Sequence, residues 1–541
     1  MNAYKLYPII LTFSLIFSAG LLPACTDRFE NYNTDKTGID DNNPGIILGI
    51  IQEGIYFNYD FGKGKNWPYQ LMFNLNADMY SGYMHDYKPF NGGSSNSDYN
   101  LQEGWNETFW IYTNSYIMPQ IIRAEKLTKI NYPDLYAITL ILKVEIMHRL
   151  TDCYGPIIYR SFGNKDRYYI PDTQEEAYKT FFNDLETAVN ILSNYINEED
   201  NESRFSPYDI LLDGKYSSWI KFANSLRMRL AIRIAMVEPQ TAEKEFKAAL
   251  EHPGGILDNS EKPVAVSTNS GYLNPLGEIN RTWDEVYMNA SMESILNGYE
   301  DPRRNLFFEP CTKDITLKDR YGNDSVTITL KGRFKGIRQG TCFGHQYYIT
   351  HSKITVNPTT DAILFTAAET WFLRAEAALR GWTSENPGTC YETGIKASFS
   401  QWKAPNVESY LQNDRIGADY IDAFTEDFNI NARCKVSPRW DETASSEIKL
   451  EKIITQKWLA MFPESCEAWA EQRRTGYPRL FPVLINNSKD GCIDTEIMIR
   501  RLNFPRSLSQ SEPELFKMLQ TAFGKPDNAG SRLWWDTGKN F

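Results

Sequence analysis

The chain has 541 residues, of which 42% are hydrophobic and 23% are charged, a composition that is ordinary for a globular protein with a large apolar interior. Its net charge of −12 at pH 7 argues against nucleic acid or an anionic lipid surface as the main partner, because both demand basic patches. A neutral or weakly charged ligand fits this balance better. Aromatic residues make up 14% of the chain, which suits surfaces that stack on sugars or on partner proteins.

The N-terminal segment predicts export. Lys5 precedes an apolar run over residues 7–22, which is too short and too early to be a membrane-spanning helix. The run ends in Leu-Pro-Ala-Cys, which resembles a lipobox and predicts that residues 1–24 are a signal peptide and that Cys25 is acylated. The alternative is a plain secretory signal with an incidental cysteine. After Cys25 no stretch reaches the roughly 20 apolar residues of a membrane span, so we expect residues 25–44 to tether the body to a lipid anchor.

The other cysteines do not describe a disulfide framework or a zinc site. They are odd in number, widely scattered and contain no C-x-x-C pair: Cys153, Cys311, Cys342, Cys390, Cys434, Cys466 and Cys492. Cys311 and Cys342 are the one pair that we consider for a disulfide. Buried free thiols are the favoured interpretation.

Apolar periodicity predicts a mainly α-helical fold made of paired helices. The predicted pairs are 101–127 with 133–152, 174–195 with 216–236, 361–381 with 389–402, and 450–462 with 464–474. The last pair is the clearest, because Pro463 ends its first helix and Gly476 follows its second. Alternating small and bulky residues resemble tetratricopeptide units, although no strict 34-residue period is present. The helical scaffold is expected over about 101–236 and 361–474.

Tryptophans at helical spacing are predicted to belong to the core. In the third pair one apolar stripe recurs at every fourth residue, and it consists of Ile363, Ala367, Trp371, Ala375 and Leu379. Trp458 and Trp469 lie on the two halves of the last pair. All three tryptophans sit among aliphatic neighbours, which favours packing over ligand contact.

Two long segments differ from the helical pairs in amino-acid composition. Residues 62–100 and 251–358 are rich in Gly, Pro, Ser and Asn, and the second contains a strand-like run over 325–330. Loops of this length on a rigid scaffold are where function usually lies. Residues 481–541 predict a loop-rich C-terminal cover.

No catalytic motif is present. The five histidines show no metal-ligand spacing, and the chain lacks a nucleophile elbow and a phosphate-binding loop. A pair of carboxylates of the kind that glycosidases use leaves no signature in a sequence and stays open. Arg473 and Arg474, beside Glu467 and Glu471, either bind an anion or form ion pairs within the fold, and we favour the ion pairs.

Seven stretches, in order along nearly the whole chain, resemble the SusD/RagB family of nutrient-binding outer-membrane lipoproteins. They are CTDRFENYNTDKTG (25–38), RLTDCYGPIIY (149–159), WIKFANSLRMRLAIRIA (219–235), SILNGYEDPRRNLFF (294–308), ETWFLRAEAALRGW (369–382), QKWLAMFPESCEAWAEQRRTGYPRL (456–480) and RLWWDTG (532–538).

The resemblance implies a single SusD-like domain over 45–541, with four degenerate tetratricopeptide-like units, a large loop-rich insertion and minor β structure. It implies a lipid-anchored protein on the outer face of the outer membrane that captures oligosaccharides. The implied partner is a SusC-like TonB-dependent transporter. It implies neither an enzymatic activity nor a cofactor.

A glycan site needs exposed rings beside polar groups, because sugars present flat C–H faces as well as hydroxyls. Three loop groups have this mixture, and the resemblance implies these regions without implying individual residues. The candidates are Tyr83, Asp86, Tyr87, Phe90 and Tyr99 in the first group, Tyr272, Asn280 and Trp283 in the second, and His345, Tyr347 and Tyr348 in the third. For any single ring among them, plain packing is the competing interpretation.

Two other functions stay open at the level of sequence. One is a glycoside hydrolase with an unrecognised carboxylate pair, which production of new reducing ends would reveal. The other is a structural or adhesion subunit of the cell surface that has no sugar site.

Overall fold

The computed structural model describes residues 43–57, 67–86, 95–163, 169–198, 203–258, 262–318, 322 and 324–541. The predicted signal peptide, Cys25 and nearly all of the tether lie outside these ranges, so their assignments stay predictions. Residues Pro44–Phe541 form one compact unit. Within the described residues, no helix is both long enough and apolar enough to cross a bilayer.

The described chain is mainly helical, which confirms the predicted fold class. Its first helices are α1 (Pro44–Gly54), α2 (Trp67–Tyr69), α3 (Ala77–Tyr80), α4 (Glu103–Asn106), α5 (Thr108–Tyr112), α6 (Met118–Thr128), α7 (Pro133–Tyr154), α8 (Gln174–Glu198), α9 (Tyr216–Arg233) and α10 (Pro239–Leu250). The later ones are α11 (Pro275–Arg281), α12 (Ala290–Gly298), α13 (Arg304–Phe307), α14 (His345–Tyr348), α15 (Ala367–Leu379), α16 (Pro387–Trp402), α17 (Val407–Leu411), α18 (Ser446–Met461), α19 (Ser465–Thr475), α20 (Arg506–Ser511) and α21 (Pro513–Phe523). Two π-helical segments, Gln70–Asn74 and Thr113–Ile117, continue α2 and α5.

Strands are short and pair over long sequence distances. The described residues contain β1 (Met84–His85) with β3 (Tyr287–Met288), β2 (Val264–Val266) with β6 (Ala362–Phe365), and β4 (Ile315–Lys318) with β5 (Asp324–Ile328), all antiparallel. The strand-like run predicted at 325–330 is confirmed as far as residue 328.

The hairpin of α18 and α19 has the boundaries that its sequence predicts. The Glu464 carboxylate accepts a hydrogen bond from the backbone N–H of Glu467 at 2.8 Å, which caps the start of α19. Gly476 ends the same helix in the left-handed conformation, at φ 77°, that glycine adopts without steric cost. Trp458 and Trp469 are each only 1% exposed, so the prediction that both are buried is confirmed.

The structure corrects two boundaries of the predicted pairs. The segment 101–127 is not one helix, because it is divided into α4, α5, a π-helical turn and α6. The segment predicted as helical from residue 361 begins as strand β6, and α15 starts only at Ala367, where the Thr366 hydroxyl accepts a hydrogen bond from the Glu369 N–H at 3.1 Å. Apolar residues 362–365 fit either state, and their pairing with β2 almost a hundred residues earlier decides the outcome.

The core prediction for Trp371 is confirmed in part, because the ring packs against the core but is not fully buried. Its side chain is half-exposed, and the Arg374 guanidinium lies 3.6 Å from its ring centroid in a cation–π contact. The fully buried side chains of α15 include Phe372 and Leu373. Of the predicted stripe Ala375 is fully buried, whereas Ile363, Ala367, Trp371 and Leu379 are partly buried.

Charged side chains inside the scaffold neutralise one another across helices. Arg229 of α9 lies 2.7 Å from Glu369 of α15, Lys457 of α18 lies 2.9 Å from Glu467 of α19, and Arg474 of α19 lies 2.7 Å from Glu376 of α15. All six side chains are nearly inaccessible to solvent. Removing one partner of such a pair leaves a buried charge uncompensated, which makes each pair hard to break.

The two arginines at the end of α19 are structural. Besides Glu376, Arg474 contacts Glu471 at 2.7 Å, and the Arg473 guanidinium lies 3.7 Å from the centroid of the Trp469 ring. Both arginines are buried. The interpretation as ion pairs and packing within the fold is confirmed over the anion-binding one.

The seven cysteines after Cys25 are all free thiols, and Cys311 is buried whereas Cys342 is exposed. The disulfide considered between these two residues is absent.

His148 is buried in α7, with Nδ1 at 3.0 Å from the Val144 carbonyl oxygen, as expected of a core histidine.

Candidate functional site

Segments that adjoin the three predicted loop groups lie side by side in the fold. His85 of β1 pairs with Tyr287 of β3, so the segment that carries the first group runs beside the segment that follows the second. The Met288 N–H donates to the Ser352 carbonyl at 2.7 Å, which places the segment after the third group against β3. The Asn289 N–H donates to the Tyr83 carbonyl at 3.2 Å. Regions more than 250 residues apart in sequence thus meet around β1 and β3.

Several of the predicted site residues belong to the core. Tyr83, Asp86, Tyr99, Tyr272 and Asn280 are all buried, with at most 3% of each residue exposed. Three of them donate hydrogen bonds within the fold: the Tyr83 hydroxyl to the Trp458 carbonyl, the Tyr272 hydroxyl to the Tyr56 carbonyl at 2.9 Å, and the Asn280 amide to the Ile354 and Val356 carbonyls at 2.9 and 2.7 Å. These side chains hold the loops in place, and a sugar has no access to them.

The remaining candidates divide into accessible and undescribed residues. Trp283 and Tyr347 are half-exposed. Tyr348 is buried and its hydroxyl contacts that of Thr341. Tyr87 and Phe90 lie outside the described residues, as does the side chain of His345.

Four half-exposed rings form a continuous cluster, which we call the aromatic platform: Phe343, Tyr347, Phe424 and Phe428. The Phe343 and Tyr347 rings stack with centroids 4.8 Å apart and planes inclined by 25°. Phe428 lies 5.1 Å from Phe343, and Phe424 meets Tyr347 edge-on at 5.2 Å. Offset and edge-on contacts of this kind are favourable ring geometries, so the rings support one another at the surface.

Buried groups fix the platform from below. The His351 ring stacks on Phe424 with centroids 5.9 Å apart and contacts Tyr348 edge-on at 5.1 Å. Burial, together with the positive charge of Lys335, lowers the pKa of His351 to about 3, which keeps its imidazole neutral at ordinary pH. Asp422 orders the Phe424 loop, because its Oδ1 accepts a hydrogen bond from the Phe424 N–H at 2.8 Å.

Sequence reasoning missed three of the four platform rings. Phe343 lies two residues before His345 but was not selected, and Phe424 and Phe428 come from a segment about eighty residues further on. The one local signal is the turn-rich stretch 419–430, which holds two Phe residues and a short 3₁₀ helix, Glu426–Phe428. Its position beside Phe343 follows only from long-range contacts.

A polar groove borders the platform. Its volume is about 630 Å³, and Asp422 and Ala423, which line it, directly precede Phe424 in sequence. The remaining lining residues are Glu293, Asn297, Arg304, Ile328, Thr329, Leu330, Gly332, Arg333, Phe334, Lys335, Asp419 and Ile421. Rings on one side and charged or amide groups on the other give the mixture that a glycan site requires.

A second groove of about 660 Å³ lies between residues 299–302 and 406–415. Its two tyrosines, Tyr299 and Tyr410, are buried and hydrogen-bonded within the fold, so neither ring is accessible for stacking. Among the described residues, no group of three or more His, Cys, Asp or Glu side chains is arranged to hold a metal ion.

Comparison with known proteins identifies the family of the chain. A family model described as "SusD-like: Susd and RagB outer membrane lipoprotein" matches residues 26–536. No curated protein matches the chain.

Solved structures of SusD homologues are similar over almost the whole chain. A homologue from Bacteroides vulgatus is 44% identical, with a TM-score of 0.84, over 92% of this chain and 98% of that one. A homologue from Flavobacterium johnsoniae, described as chitin-binding, is 38% identical, with a TM-score of 0.83, over 91% and 99%. A third, from Bacteroides uniformis, is 29% identical, with a TM-score of 0.80, over 92% and 100%. The chain therefore belongs to the SusD-like family of outer-membrane lipoproteins.

Proposed function

We propose that this protein is a cell-surface glycan-binding lipoprotein that captures oligosaccharides on the aromatic platform. The observation that carries the proposal is the cluster of four half-exposed rings, Phe343, Tyr347, Phe424 and Phe428, which ring contacts connect into one group. Apolar ring faces match the C–H faces of sugars, and the adjoining groove supplies donors and acceptors for hydroxyl groups.

Binding rather than hydrolysis is the proposed role. Family membership supports it, as does the description of a 38% identical relative as chitin-binding. The proposed sequel to capture is delivery to a SusC-like TonB-dependent transporter, which rests on family membership alone.

Attachment of the protein to the membrane through Cys25 is part of the proposal. Replacing Cys25 with Ala removes the thiol that lipid attachment needs, so we expect this variant to be released from the membrane fraction. Fractionation of cells followed by immunoblotting measures the release. Retention of Cys25→Ala in the outer membrane of a strain that lacks the transporter would contradict the anchor.

The test of the platform is a glycan array followed by calorimetric titration. We expect the wild type to bind at least one oligosaccharide, with chitin fragments included among the probes. Tyr347→Ala and Phe424→Ala should each weaken that binding about 5- to 150-fold, the effect of removing a strong contact residue of about 1–3 kcal/mol. Trp371→Ala is the matched control, because Trp371 is also a half-exposed ring but lies on α15 of the scaffold.

Each contrary outcome identifies a different function. Unchanged affinity in both platform variants would show that the sugar binds elsewhere on the protein. Trp283 would then be the next ring to replace. New reducing ends after incubation would support a hydrolase. A silent array combined with tight transporter binding would support a structural subunit without a sugar site.

A further inference from the structure

The groove beside the platform contains carboxylates that already accept hydrogen bonds from other groups of the protein. The Glu293 carboxylate accepts hydrogen bonds from the Lys335 ammonium and from the Gly336 N–H, both at 2.8 Å. Asp419 Oδ1 accepts from the Ala432 N–H at 2.8 Å, and Asp422 Oδ1 accepts from two backbone N–H groups of its own loop. The negative charges of the groove are therefore engaged within the fold.

Two cations of the groove lack such compensation. The Arg304 guanidinium donates from Nη1 to the neutral Asn297 amide oxygen at 2.8 Å and lies 4.4 Å from the centroid of the Phe334 ring. Its Nε is buried with no hydrogen-bond partner, and no described carboxylate lies within ion-pair distance of it. Arg333 is exposed, and its side chain forms no ion pair with any described residue.

The environment of Arg304 has an electrostatic consequence. Burial lowers its pKa, and the more distant charges of Asp301 and Glu300, which act in the opposite direction, do not offset this effect. A guanidinium that is partly desolvated and unpaired gains more from an incoming anion than one that already holds a carboxylate. Three cationic side chains, Arg304, Arg333 and Lys335, line the groove together with three carboxylates, Glu293, Asp419 and Asp422. Lys335 is already paired with Glu293, so the two arginines are the cations that remain available to an anion.

We propose that this groove is a subsite for the carboxylate or sulfate group of an acidic sugar, held by Arg304 and Arg333. Guanidinium groups match the planar geometry of such anions and donate to them in pairs. Because the groove wall at Asp422 and Ala423 continues directly into Phe424, a neighbouring sugar of the same chain reaches the platform. This inference rests on the proposed glycan-binding function and names its ligand as an anionic oligosaccharide, which differs from the neutral ligand that the overall charge favours.

The test is an array of paired oligosaccharides: hexagalacturonate with its methyl ester, and a chondroitin sulfate hexasaccharide with its desulfated form, alongside neutral chitin and xylan fragments. We expect the purified full chain to bind an acidic member and to lose about tenfold or more in affinity when the carboxylate is esterified or the sulfate is removed. The two pairs distinguish a carboxylate from a sulfate. Binding should weaken steeply between about 0.05 and about 0.5 M salt, because salt screens a charged contact.

Variants locate the effect. Arg333→Gln changes an exposed side chain and is expected to fold normally. Arg333→Gln and Arg304→Gln should each reduce the affinity for the acidic member about tenfold or more. Neither variant should change the affinity for its neutral counterpart. The control, Lys179→Gln with Arg506→Gln, removes two exposed cations from other regions and should bind as the wild type does. Thermal unfolding of each variant shows whether it is folded.

The outcomes separate this inference from the proposed function. Binding only to neutral members, or equal binding by Arg333→Gln and the wild type, would overturn the acidic subsite and leave glycan capture intact. If Tyr347→Ala and Phe424→Ala bind every member as the wild type does, or if the wild type binds none, the proposed function itself fails.

Discussion

The α18–α19 hairpin and the aromatic platform use the same kind of residue for opposite purposes. In the hairpin Trp458 and Trp469 are 1% exposed and pack inside the scaffold. In the platform four rings remain half-exposed although they contact one another at similar distances. The lesson is that a high aromatic content does not mark a binding surface by itself. The relevant property is how far the surrounding fold buries each ring.

Charged residues differ between the two regions in the same way. In the scaffold each buried cation faces a carboxylate from another helix, as Arg229 faces Glu369. In the groove beside the platform Arg304 and Arg333 form no ion pair with a described carboxylate, although Glu293, Asp419 and Asp422 line the same groove. Compensated charges stabilise one arrangement of helices, whereas uncompensated ones are available to a ligand.

The largest expected effect is on the scaffold. Arg229→Met leaves the Glu369 carboxylate buried without its principal partner, and we expect the free energy of unfolding to fall by about 3–5 kcal/mol. Lys179→Met is the control, because it breaks an exposed pair with Glu175 that solvent screens, so its effect on the free energy of unfolding should be much smaller. Denaturant unfolding of both variants measures the difference. Equal losses would show that burial does not distinguish the two kinds of pair.

The two regions should also respond oppositely to pH. Asp78 contacts Ser465 of the hairpin, and burial raises the pKa of its carboxyl to about 6. Its contribution to the free energy of unfolding is therefore present at low pH and is lost as the pH rises through 6. The pKa of His351 under the platform is lowered to about 3, so its contribution is present above the unfolded value of about 6.5 and is lost on acidification.

Measurements near about pH 7.5 and about pH 4.5 separate these contributions. On acidification the free energy of unfolding of the wild type should rise by about 2 kcal/mol relative to that of Asp78→Asn. It should fall by about 2–3 kcal/mol relative to that of His351→Phe. Thermal or denaturant unfolding of the three proteins at both pH values gives the two differences. Shifts of the same sign in both variants would contradict the opposite roles.

The smallest effect concerns two tyrosines that were predicted as ligand contacts. Tyr83→Phe removes a buried hydroxyl that donates to the Trp458 carbonyl, and should lower the free energy of unfolding by about 1 kcal/mol without changing glycan affinity. Tyr347→Phe removes a hydroxyl at the half-exposed platform and should leave stability unchanged within about 0.5 kcal/mol. Calorimetric unfolding and glycan titration of both variants provide the check. A loss of glycan affinity in Tyr83→Phe alone would place the site around β1 instead.

The sequence by itself determined the helical class, the last hairpin and the family. Amphipathic periodicity, the proline between α18 and α19 and the glycine after α19 act over a few residues, so local physical chemistry is sufficient to place them. Resemblance along the chain likewise needs no coordinates. The ion pairing of Arg474 with Glu471 and the packing of Arg473 on Trp469 were also predicted from neighbours on one helix, whereas the pair of Arg474 with Glu376 was not.

Tertiary structure decided which rings are accessible. Nothing near Tyr83 or Tyr272 in the sequence shows that their hydroxyls meet carbonyls from other segments, and nothing near Phe424 or Phe428 shows that they reach Phe343. Strand β6 was likewise mistaken for the start of a helix, because its partner lies almost a hundred residues away. The physical reason is the same in each case: exposure and strand pairing depend on contacts between segments remote in sequence, which local patterns of apolar and polar residues do not encode.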